Sequence, residues 1–130
     1  MINPVLANFF KTNHPLNKDG LEETFRAFRH LSVKKGELLL RSGEYARQLV
    51  FLTQGVVREY YSTPEKEINI NFYDSPQFIT DFSAFIDGKI TRKNQEALSE
   101  VKLSVIDKLV FQQLLAVSYT HLTLPTTSRV

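Results

Sequence analysis

Residues 33–61 read VKKGELLLRSGEYARQLVFLTQGVVREYY, and how they are parsed decides the fold. Short runs rich in Val, Leu, Phe and Tyr alternate with Gly36, Gly43 and Gly55. A chain can reverse that often only where a residue accepts positive φ at low steric cost. The runs are too short for ordinary helices. Strands of four to eight residues between glycine turns predict an all-β roll or barrel, each strand burying one face and wetting the other.

Composition sets the outer bounds. A chain of 130 residues fits one domain and has enough length for a real core. With 42% hydrophobic residues and no apolar run near the ~20 residues that cross a bilayer, a non-membrane protein is expected. The start MINPVLANFF lacks a basic leader and long apolar segment, so a cytoplasmic location is expected. Cysteine is absent, which excludes disulfides and thiolate ligation of zinc or iron–sulfur clusters. His14, His30 and His121 stand far apart in no metal-binding spacing, so no metal site is expected. The net charge of +2 is too small and scattered for a DNA footprint. The only local basic cluster is Arg92 with Lys93.

In chain order, Ile2, Val5, Leu6, Phe9 and Phe10 fall at helical spacing. Asn17 offers an N-cap for a second helix carrying Leu21, Phe25 and Phe28 on one side. Both helices are expected to pack on the roll. Leu38 and Leu40 are predicted to share a strand face, and Leu49 to Leu52 to form a central strand buried on both sides. Val57, Glu59 and Tyr61 alternate with Val56, Arg58 and Tyr60, and periodicity alone leaves the inward set open. After the polar turn STPEK, Ile68, Ile70 and Phe72 alternate with Asn69 and Asn71, predicting a half-buried strand. Phe82, Phe85 and Ile86 predict one buried face of a short helix, with Thr80 or Asp81 as its cap, and Asp87 with Gly88 predicts its closing turn. Ala97, Val101, Leu103, Val105 and Ile106 complete the strands, and a helix should begin at Asp107.

The runs KKGELLLRSGE, FLTQGVVREYY and ALSEVKLSVID together resemble the sensor domain of Crp/Fnr-type transcription regulators, the cyclic-nucleotide-binding fold. The resemblance spans about Ile2 to Leu115. It implies an antiparallel β-roll or jelly roll with two N-terminal helices, a short cassette helix and the start of a C-terminal helix. It also implies a small-molecule or cyclic-nucleotide-like effector and a homodimer in the intact protein. DNA would be bound only through a C-terminal helix-turn-helix domain that this chain does not include.

The same resemblance places the effector against the cassette FITDFSAFIDGKITRKNQEAL, with Thr80, Asp81, Phe82, Ser83, Thr91, Arg92 and Lys93 as candidate ligand-binding residues. In the family, backbone N–H groups at the helix start and an arginine fork hold a cyclic phosphate. A glycine followed by a glutamate usually opens that cassette, and here Thr80 and Asp81 stand in those places. Aligned on Ala97 and Leu98, Thr91 takes the arginine's position and Arg92 follows one place later. Successive strand residues point to opposite faces, so Arg92 is expected to aim away from the pocket. Classical cyclic AMP binding is therefore not expected.

Residues 118–127, SYTHLTLPTT, back-translate as tct tat aca cat ctg acg ctg ccg acg acg, which looks like a sequencing-library adapter read as protein. The expected division is a sensor domain over 1–115 and a non-native tail over 116–130. Three functions are compatible with these features to different degrees. The first is a non-enzymatic, ligand-sensing effector domain of a regulator. The second is a ligand-free interaction domain in a regulator, channel or kinase. The third is a cupin-type jelly-roll enzyme, which wants converging histidines that this sequence lacks.

Overall fold

The computed structural model describes residues 26–114. The first predicted helix, most of the second, His14, His121 and the suspected adapter tail lie outside them. Eight strands follow one another: β1 (Arg29–Val33), β2 (Leu38–Leu40), β3 (Gln48–Gln54), β4 (Val57–Ser62), β5 (Glu67–Tyr73), β6 (Gln77–Phe78), β7 (Asn94–Ala97) and β8 (Val101–Asp107). A six-residue helix α1 (Phe82–Asp87) sits between β6 and β7, and residues 108–114 are helical. All strand pairs are antiparallel. They form two four-stranded sheets, β1-β8-β3-β6 and β2-β7-β4-β5. The expected β-roll is the fold observed.

Two hydrophobic clusters explain why this sequence closes in this way. Leu52, Val57, Ile79, Ala97, Val101, Leu103 and Val105 pack between the sheets. Phe28, Leu49, Phe51, Phe85 and Ile106 pack on the other side of β3 and β8, with Phe111 and Leu114 against them. Side chains alternate across a strand, so the run at Leu49 to Leu52 feeds both clusters, as its unbroken apolarity predicts. The outer face of the second sheet is partly covered, with Tyr60 and Asn94 buried on it. The same face carries Arg58, bonded to Glu96 at 2.6 Å and Glu67 at 3.0 Å, with its guanidinium 3.9 Å from the Tyr60 ring centroid.

Gly55 holds the tightest reversal. Its φ is +108°, and a Cβ there would lie 2.5 Å from the Glu100 carbonyl oxygen. Gly36 and Gly43 also have positive φ, as the glycine-punctuated reading requires.

Three patterns resolve differently from the expectation. Ile68, Ile70 and Phe72 do not form a buried face, being 41%, 36% and 57% exposed. Pairing slips between Glu59↔Asn71 and Tyr60↔Asn69, leaving Ile70 as a bulge. Ile68 and Phe72 therefore face opposite sides of an edge strand. Leu38 and Leu40 are split likewise: Leu38 pairs with Glu96 and Leu40 with Gln95, across a register shift at Leu39. On α1, Ala84 and Phe85 are buried, whereas Phe82 and Ile86 are 46% and 69% exposed. A helix of less than two turns seats only one large side chain deeply, and that is Phe85, beside the small Ala84.

Candidate functional site

The inner surface of the second sheet is unexpectedly polar. Val57 pairs with Tyr73 and Ala97, and Glu59 pairs with Asn71 and Gln95, so all six share the inward face. Glu59 is 1% exposed. Its carboxylate accepts from Asn71 Nδ2 at 2.9 Å, the Tyr73 hydroxyl at 3.1 Å and Gln95 Nε2 at 2.8 Å. Lys93 Nζ stands 3.9 Å from the same carboxylate, too far for a hydrogen bond but near enough for attraction. A buried charge is tolerated only with such partners. Burial first, then the Glu59 charge, pushes the Tyr73 hydroxyl pKa up to about 12.

This network joins the cassette through Gln95, whose amide also donates to the Ile79 carbonyl at 2.6 Å. Thr80 and Asp81 follow Ile79. Thr80 Oγ1 accepts from the Val50 backbone at 2.7 Å, tying the cassette to β3. Asp81 is the N-cap of α1, accepting from Ala84 N at 3.4 Å, and its other oxygen accepts from the buried Thr91 hydroxyl at 2.7 Å. Gly88, in the left-handed conformation at φ +69°, ends the helix. Of the candidate ligand residues, Thr80, Asp81, Thr91 and Lys93 thus converge toward the interior. Phe82, Ser83 and Arg92 are exposed. Alternation along the segment accounts for this division, with Thr91 and Gln95 buried and Lys93 half-buried, while Arg92 is exposed and Glu96 is held by Arg58 on the other face.

Sequence reasoning did not select Glu59, Asn71, Tyr73 or Gln95. The usable signal was Val57, which fixes Glu59 two residues on as inward once Val57 is placed in the core. Next to this network a recess of about 330 Å³ opens between β2, β3 and the cassette.

The family model described as "Cyclic nucleotide-binding domain" matches residues 30–118, more than half of the chain. The chain belongs to the cyclic nucleotide-binding domain family. None of the curated proteins compared matches it. Among solved structures, the sensor domain of the transcriptional regulator DNR from Pseudomonas aeruginosa is similar at TM-score 0.73 and 22% identity, covering 86% of this chain and 75% of that one. The Thermus thermophilus catabolite activator protein gives TM-score 0.70 and 14% identity, covering 83% and 52%. A cAMP-bound PfPKA-R gives 0.75 and 23%, covering 85% and 40%. The present cyclic nucleotide-binding domain thus spans about two-fifths to half the length of the last two chains. Likeness at this level of identity establishes a shared fold. Among the described residues no helix is long and apolar enough to cross a membrane.

Proposed function

We propose that residues 1–115 are the ligand-sensing effector domain of a Crp/Fnr-type transcription regulator whose cassette no longer holds a cyclic phosphate. The module is regulatory and non-enzymatic, acts in the cytoplasm, and works in the intact protein as a homodimer whose DNA contacts come from a further C-terminal domain. Residues 116–130 are then a non-native tail.

One observation carries the altered ligand choice. Among the described residues, the Glu59 network and the cassette set two carboxylates, Glu59 and Asp81, against the Lys93 ammonium, while Arg92 is exposed and Arg47 reaches the recess only from its exposed wall. A cyclic phosphate there would meet repulsion without its guanidinium partner. A charged hydrogen bond contributes about 1.5–3 kcal/mol, so its loss weakens binding by about one to two decades. Calorimetry with cyclic AMP and cyclic GMP tests this, with no binding tighter than about micromolar expected. Micromolar or tighter affinity that disappears in Arg92→Ala would refute it.

A second reading, a ligand-free contact domain, is favoured by the completeness of the Glu59 network, which satisfies its carboxylate without any ligand. Recovering the intact gene separates regulator from channel or kinase. A long helix and a helix-turn-helix should follow Leu115, and a membrane segment or catalytic domain there would reject the regulator.

A further inference from the structure

The recess beside the cassette carries an unspent acceptor. Gln95 is 2% exposed and lines the recess. Its Nε2 donates both protons to acceptors, Glu59 Oε2 at 2.8 Å and the Ile79 carbonyl at 2.6 Å, which fixes the amide orientation. Gln95 Oε1 then accepts no hydrogen bond among the described residues. A buried polar atom left without a partner costs free energy and calls for an explanation.

The charges around the recess say what kind of partner would suit it. Glu44, Asp81 and Asp107 line it, with Arg47 as the opposing charge on its wall. Asp107 is partly offset by Arg29 at 3.2 Å, and Glu44 accepts only from the Arg41 backbone, at 3.1 Å. Leu39, Leu40 and Val50 supply an apolar wall. A site with excess carboxylate, an orphaned buried acceptor and an aliphatic side favours a hydrogen-bond donor carrying positive charge on a short hydrocarbon body.

We propose that this recess binds a small alkylammonium or guanidinium compound, its N–H groups donating to Gln95 Oε1 under the field of Glu44 and Asp81. This rests on the ligand-sensing reading and names the chemistry of the ligand. The cation would complete the hydrogen bonding of Gln95, which bridges the Glu59 network and the Ile79 backbone leading into α1. Occupancy is thereby felt at the cassette.

The test is a ¹H–¹⁵N correlation titration of the full chain, following the Gln95 side-chain NH₂ pair and the Asp81 amide. The probes are n-propylammonium, guanidinium, propionate, inorganic phosphate and 1-propanol at fixed ionic strength. Saturable shifts at both reporters are expected with the two cations and not with the two anions or the alcohol. Glu44→Gln keeps the Arg41 hydrogen bond but removes charge, and should weaken cation binding about 3- to 5-fold. Gln95→Leu should abolish it, with retained amide dispersion showing that this variant folds. Equal cation affinity in a folded Gln95→Leu variant, or in Glu44→Gln, would overturn the proposal. So would saturation by propionate or phosphate, which would leave ligand sensing intact but reverse the ligand's charge. No saturation by any probe would overturn it as well. The wider reading is judged separately, by the domain that follows in the intact gene.

Discussion

Replacing Gly55 by alanine separates two costs that usually arrive together. The residue sits at φ +108°, and an added Cβ would lie 2.5 Å from Glu100 O and 2.9 Å from both Val101 Cα and Cγ2. Two of those three atoms are backbone, so no side-chain rotation relieves the clash. Gly36 provides the control, since its φ is +91° and nothing lies within 4 Å of the added atom. Backbone strain of about 1–3 kcal/mol applies to both substitutions, and so does the small gain from a less flexible unfolded chain. Only Gly55→Ala adds overpacking, about 1–3 kcal/mol. With a urea dependence of about 2 kcal/mol per molar for a chain of this size, Gly55→Ala should unfold about 0.5–1.5 M earlier than Gly36→Ala. Urea titrations of both full-length variants, followed by circular dichroism, read this difference. Coincident midpoints would show that β3 and β4 do not turn against the start of β8 as closely as described.

Further outcomes follow from the interior network and the cassette. Glu59→Ala removes the acceptor of the buried Gln95 amide, the half-buried Tyr73 hydroxyl and the Asn71 amide, and chemical denaturation should show a loss of about 2–4 kcal/mol. Glu59→Gln should lower the Tyr73 pKa from about 12 only part of the way to 10, because burial is the larger cause; absorbance titration near 295 nm measures it. The folded domain keeps that phenol proton up to about pH 12, while the unfolded chain releases it near pH 10. Stability is therefore fully present below pH 10 and declines as pH rises through 12, and thermal melts across that window should record the fall. Asp81→Ala removes the cap of α1 and strands the Thr91 hydroxyl, for a loss of about 2–4 kcal/mol. Thr91→Val also removes the acceptor of the Lys93 backbone N–H at 3.0 Å, so the double variant is read through its coupling, and a strictly additive double-variant cycle would contradict the 2.7 Å contact.

Much of this was legible in the sequence because it depends on local chemistry. Glycines at 36, 43 and 55 mark reversals, the run at Leu49 to Leu52 marks a strand with two covered faces, and Thr80 and Asp81 are the two residues before α1 able to cap it. What escaped depends on register. The bulges at Leu39 and Ile70 fall at residues with no turn chemistry, and each inverts the alternation beyond it. The β4 pattern was symmetric between its two faces until Val57 was placed in the core. Glu59 could not be placed on either face from the sequence, because a buried carboxylate is recognised only when its donors on β5 and β7 are brought alongside.

The same dependence on register decides whether Arg92 could ever serve as an anion anchor. Its segment is pinned at both ends. Gly43 N donates to Thr91 O and Thr91 N to Glu44 O, each at 2.8 Å, while Gly36 N donates to Ala97 O at 2.8 Å and Ala97 N to Glu37 O at 2.9 Å. Slipping the strand by one residue to turn Arg92 inward breaks these bonds, at about 0.5–1.5 kcal/mol each, or about 2–6 kcal/mol together. It would also carry Gln95 out of the Glu59 network and bring Glu96, now held by Arg58, toward the interior. One charged hydrogen bond to a phosphate returns only about 1.5–3 kcal/mol. The return at best offsets the lower end of that cost, and the repulsion of Glu59 and Asp81 for the anion then makes the slip uphill, so the strand keeps Lys93 and Gln95 as its inward polar groups and leaves Arg92 in water.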